Sequence, residues 1–135
     1  MKRAVVVANG PLQVEAALGA LAAAGFEAVA VACAAEVRPH VELGAAVAVV
    51  SYSGSASDLA PLAAMPAGLR RSFVAILVGA GLATGDGLRA FLLGADMVVA
   101  VGDTVRLGEL AGSAVAAKRA LVAPLDPTAA ARLGG

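Results

Sequence analysis

Five short, continuous apolar runs recur along this chain, Ala4 to Ala8, Ala28 to Ala32, Ala45 to Val50, Phe73 to Val78 and Met97 to Val101, with helical periodicity between them. Each run is too short for a buried helix and too uniformly apolar for a strand with one wet face, so each predicts a strand buried on both sides. Strands that alternate with helices form a parallel sheet with right-handed crossovers and helices on both faces. That pattern fixes the fold class before any motif is considered.

The intervening segments carry ordinary helix punctuation. Asn9-Gly10-Pro11 turns the chain out of the first strand, Pro11 suits a first helical turn, and Leu12, Val14, Leu18 and Leu21 mark an apolar face that runs to Ala24 before Gly25. A short helix is predicted over Glu36 to Leu43, delayed by Pro39 and stopped at Gly44. Ser57 or Asp58 is placed to cap a helix through Met65, with Pro61 in its first turn. Thr84 and Asp86 are placed to cap the helix that carries Leu88, Phe91 and Leu92, and Leu107, Leu110, Val115 and Leu121 mark the last one. The two prolines and Gly134-Gly135 beyond Ala123 predict a frayed tail, so residues 1–123 are expected to form one domain and 124–135 a C-terminal tail.

A length of 135 residues with 60% hydrophobic content supplies one domain with a substantial core. Ten basic residues balance ten acidic ones, and with only three Phe, one Tyr and no Trp the chain lacks both the field and the stacking surface of a nucleic-acid binder. Charges such as Glu27, Glu36, Arg70, Asp86 and Asp96 interrupt the apolar stretches before they reach the roughly 18 residues of a membrane span. The basic start Met1-Lys2-Arg3 is followed by an apolar run that ends too early for a signal peptide. Cys33 is the only cysteine, which rules out an intrachain disulfide, fits a cytoplasmic location and is expected to be a small buried hydrophobe.

Gly25-Phe26-Glu27 before the second strand, Ala90 to Val101 with its Gly94-Ala95-Asp96 junction, and Leu107-Gly108-Glu109-Leu110 at the last helix together resemble the bacterial response-regulator receiver family, over nearly the whole chain to about Leu121. The resemblance implies a flavodoxin-like (CheY-like) three-layer α/β sandwich with five parallel strands in the order 2-1-3-4-5. It places the receiver's acid pair on Asn9 and Gly10, its phosphorylated aspartate on Ser51, its switch hydroxyl near Val78 or Gly79 and its lysine on Val101. None of these residues has the family's chemistry. Phosphoryl transfer to a receiver needs a carboxylate nucleophile, carboxylates for magnesium and a cation for the phosphoryl oxygens. The expected function is therefore that of a pseudo-receiver, a non-catalytic module for protein–protein interaction in bacterial signalling or regulation. Its partner or a second copy would dock on the face of the fourth helix, fifth strand and fifth helix, without cofactor, metal, nucleic acid or membrane.

The alternative is a nucleotide- or metabolite-binding domain, with or without enzymatic function, that uses the crevice beyond the strand ends, where strand order reverses. Asn9, Ser51, Ser53, Ser55, Asp86 and Asp103 would line it. Against this, small polar residues after strands are ordinary turn formers and caps. Gly79-Ala80-Gly81-Leu82-Ala83-Thr84-Gly85 departs from a dinucleotide loop in its last glycine and in its lack of a ribose-binding acid. Asp58, Asp86 and Asp103 sit on separate loops and read as caps rather than cation ligands. His40, expected exposed on the second helix, is too far from Ser51 to serve it as a base. The pairs Arg70-Arg71 and Lys118-Arg119 read as structural or solvated charge.

Overall fold

The computed structural model describes residues 2–8, 10 and 12–134, with the side chain of Ala56 excepted. The five expected strands are β1 (Arg3–Val7), β2 (Glu27–Val31), β3 (Val47–Ser51), β4 (Val74–Gly79) and β5 (Met97–Ala100). All neighbouring pairs are parallel and the order is β2-β1-β3-β4-β5. The chain thus has the flavodoxin-like α/β fold. Among the described residues no helix is long and apolar enough to cross a membrane.

Alternation along the strands divides the interior into two cores. Ala4 and Val6 of β1, Val47 and Val49 of β3, and Val74, Ile76 and Val78 of β4 face α1 (Val14–Ala23) and α6 (Leu107–Val122). Val5, Val7, Ala48, Val50, Ala75 and Leu77 face the opposite layer, built on α2 (Val37–Glu42), α3 (Ala60–Ala63) and α5 (Gly87–Leu93). Every residue of β3 and β4 is buried, as central parallel strands require. Small side chains let the layers close tightly: a Cβ on Gly108 of α6 would collide with the carbonyl of Ala20 and the methyl of Ala24 on α1.

The crossovers depart from expectation at several points. α1 begins only at Val14, because Leu12 is anchored beforehand, its side chain buried and its N–H held by the Ser51 hydroxyl. Pro11 lies outside the described residues. The third crossover is not one helix through Met65 but a 3₁₀ turn (Ala56–Leu59), α3, and then α4 (Ala67–Arg70), an additional turn placed after Pro66. Ser55, rather than Ser57 or Asp58, caps the 3₁₀ turn by accepting the Ser57 N–H. The second crossover likewise opens with a 3₁₀ turn (Ala34–Glu36) ahead of α2.

Two further expectations are overturned. Cys33 is exposed, not buried: it lies two residues beyond the end of β2, with its thiol 3.8 Å from a Glu36 carboxylate oxygen. The segment after Ala123 does not fray. Pro127–Gly134 forms α7, in which Asp126 accepts the Ala129 N–H and so starts the helix. That backbone hydrogen bond, together with the one from Arg71, holds the Asp126 carboxyl below its ordinary pKa. Ala129, Ala130 and Leu133 are buried, and the Arg132 guanidinium reaches the Val41 carbonyl. Proline here opens a helix instead of ending one.

Below the sheet, where β4 and β5 begin, Asp96 gathers the principal ionic cluster. Its carboxylate accepts the Ala75 N–H at 2.7 Å and pairs with Arg70 and Lys118, each at 3.0 Å. Lys118 also donates to the Phe73 and Arg70 carbonyls, and both cations lie near the Phe73 ring. Burial lowers the Lys118 pKa, against the opposing pull of Asp96. Arg70 and Lys118 are thus structural, as expected, and Arg71 is likewise engaged, with Asp126.

Because Leu133 is fully buried, Leu133→Ala should cost about 2–4 kcal/mol in urea unfolding. A frayed tail would leave the midpoint unchanged.

Candidate functional site

The carboxyl ends of the strands open upward on one edge of the sheet, with the order reversing between β1 and β3. Asn9 lies outside the described residues. Gly10 follows with φ +67°, a left-handed conformation, and a Cβ there would come within 2.8 Å of the Ser51 oxygen. Glycine is therefore needed both for the turn and for the space that Ser51 occupies.

Ser51 ends β3 and is 1% exposed. Its Oγ accepts the Leu12 N–H at 3.3 Å, so the hydroxyl satisfies a backbone donor from the segment that leads into α1. Val78 is buried within the α1–α6 core. Gly79 is buried beneath Tyr52: a Cβ on it would meet Tyr52 Cβ at 2.9 Å and the Tyr52 carbonyl at 3.1 Å. Val101 begins a 3₁₀ turn (Val101–Arg106) and packs against the core, while its carbonyl accepts the Thr104 hydroxyl. Gly10, Ser51, Val78, Gly79 and Val101 are thus engaged in packing and internal hydrogen bonds.

The remaining polar residues of the edge are each engaged locally. The Ser53 N–H and hydroxyl both donate to the Asp58 carboxylate, at 2.7 and 2.8 Å, closing the loop after β3. Asp86 caps α5 by accepting the Arg89 N–H, as expected. Thr84 does not share that role. Its hydroxyl donates to Asp103 at 2.6 Å and accepts the Ala100 N–H at 2.9 Å, which joins the β4–α5 loop to the end of β5. The described residues include no cluster of three or more His, Cys, Asp or Glu side chains placed to hold a metal ion. His40 is half-buried at the opposite end of the sheet, beside Arg3, Glu27 and Ala45, and so cannot reach Ser51.

A different surface stands out. Leu88, Phe91 and Leu92 fall at i, i+3 and i+4 on α5 and are 71%, 80% and 67% exposed. Their spacing reads as a core stripe, yet Ala90 and Leu93 are the residues that α5 turns to the sheet. Leu107 is buried and Leu110 partly so, whereas Leu121 near the end of α6 is exposed. Between β5 and α6 runs a cleft of about 230 Å³ lined by Asp96, Met97, Ser113, Ala114, Lys118 and Leu121. Three large apolar side chains in one exposed row are unusual on a protein surface and mark an interaction site when contiguous.

Ser51→Ala should lower unfolding stability by about 1–2 kcal/mol, through loss of the acceptor for a buried N–H. A variant as stable as the natural chain would show that the Leu12 N–H finds another partner.

No family model matches the chain, and no curated protein or solved structure matches it either.

Proposed function

We propose that the chain is a receiver-like interaction module that works without phosphorylation or catalysis, in a signalling or regulatory system of the bacterial type. The observation that carries this reading is the exposed row Leu88, Phe91 and Leu92 on α5. That helix is the fourth crossover of the fold, and the resemblance implies partner docking on a face that includes the fourth helix. Supporting it, the site at which a receiver takes up phosphate holds a buried serine committed to a backbone N–H, a glycine in a left-handed turn and a valine, in place of acids and a lysine. An aspartyl phosphate needs carboxylates and a divalent cation to offset its charge, and these positions supply neither.

The reading predicts that beryllofluoride with magnesium leaves the amide NMR resonances of Ser51, Gly10 and Gly79 unmoved. Saturable shifts at these positions would refute it. It further predicts that soluble proteins of the native host include one that the natural chain retains and that Phe91→Asp, still folded by circular dichroism, retains at least about tenfold less well, as expected for loss of a central aromatic anchor. Equal retention by both would remove α5 from the binding face.

A further inference from the structure

The two edges of the sheet are finished differently. At β5 two outward groups are covered, since the Val98 carbonyl accepts the Gly85 N–H and the Ala100 N–H donates to the Thr84 hydroxyl. At β2 they are not. Glu27 donates its N–H to the Lys2 carbonyl, and the Val31 carbonyl accepts the Ala8 N–H, so the odd-numbered residues of β2 turn their polar groups toward β1. Ala28 and Ala30 consequently turn theirs outward, where no described residue pairs with them. Only at Ala32 is the edge closed, by the Glu36 carboxylate.

The side chains of this edge make it more adhesive. Edge strands are ordinarily protected by lysine, proline, a bulge or a covering element. Ala28-Val29-Ala30 has none of these, and Val29 is 40% exposed although β2 is almost wholly Ala and Val. Leu43, 69% exposed, extends the apolar surface beside the cleft formed by Arg3, Glu27, Val29 and His40.

We infer that β2 is a self-association edge, at which two copies pair antiparallel about a two-fold axis through Val29. The occupant follows from the hydrogen-bonding groups. An antiparallel partner must offer an N–H and a carbonyl on alternate residues, and the two-fold sets Ala28 of one copy against Ala30 of the other, which satisfies all outward groups of both in four hydrogen bonds. Val29 then meets its own symmetry mate as the close, non-hydrogen-bonded pair. Charge favours the same direction. Glu27 opens the edge beside Arg3 of β1 and the preceding Lys2, net +1, and Glu36 lies just past its end, net −1, so antiparallel pairing brings unlike ends together. The sheet becomes continuous over ten strands. Five-residue edges bury less than a standard interface, so the dimer is reversible, with a Kd on the order of 10–100 μM.

Sedimentation equilibrium of the full chain tests this. The natural protein should dimerise over that range, and Val29→Lys and Ala30→Pro should each weaken the dimer at least about tenfold. Neither substitution removes a hydrogen bond to β1, and circular dichroism verifies that each variant is folded. Phe91→Asp should leave the dimer intact, which separates this edge from the α5 face. In a Cys33→Ser background, Val29→Cys should cross-link with copper phenanthroline at least several-fold faster than the natural chain does through Cys33. A protein that remains monomeric to about 1 mM overturns the inference. So do a dimer insensitive to both edge substitutions, and Val29→Cys cross-linking no faster than the natural chain.

Discussion

A parallel strand must be covered on both faces, and nearly every feature of this protein follows from that constraint. With β3 and β4 wholly buried, side chains have to alternate between two cores, and valine and alanine satisfy both without bulk. The close approach of α1 and α6 at Gly108 follows from the same economy of volume. Leu12 and Tyr52 occupy the upper edge directly, Leu12 tied to Ser51 and Tyr52 lying over Gly79. Ser51 and Gly79 are thus held by structural contacts at the ends of the two central strands.

Polar residues are used sparingly and chiefly as fasteners. Asp96 binds the start of β5 to the backbone of β4, to the turn that carries Arg70 and, through Lys118, to α6. A partly buried carboxylate with two cations and a backbone N–H is worth keeping less for its net energy than for the arrangement it selects, since removal of one member leaves the others uncompensated. Thr84 acts similarly above the sheet, where a single hydroxyl links Asp103 to the end of β5. Both fasteners lie on the β4–β5 side. Among the described residues, β2 at the other margin has no counterpart apart from the Glu36 carboxylate.

The strands were legible because five apolar runs of five or six residues suit strands buried on both faces, and their boundaries shifted by no more than two residues, whereas their order followed from the resemblance rather than from the runs. The helices were less so. Pro66 divides the third crossover and Pro127 begins α7, and a proline alone does not disclose whether it stops one helix or starts the next. Burial of individual residues was least legible. Leu88, Phe91 and Leu92 have the spacing of a core stripe, and periodicity identifies a common face without saying what covers it. Cys33 has the composition of a buried residue and lies where the chain leaves the sheet. The roles of Thr84 and Asp58 depend on partners 19 and 5 residues distant in the chain, contacts that no local pattern encodes.

The polar residues at the strand ends are held in internal hydrogen bonds, while large apolar groups stand exposed on a flank of the sheet. A receiver's carboxylates and magnesium demand a solvated, open edge, and the energy of binding phosphate is what biases its docking face between two states. Here Ser51 is buried and bound to Leu12, and the carboxylates of Asp58 and Asp103 are engaged by the hydroxyls of Ser53 and Thr84. The row on α5, 67–80% exposed, is open to solvent in the fold as it stands, without rearrangement of the sheet.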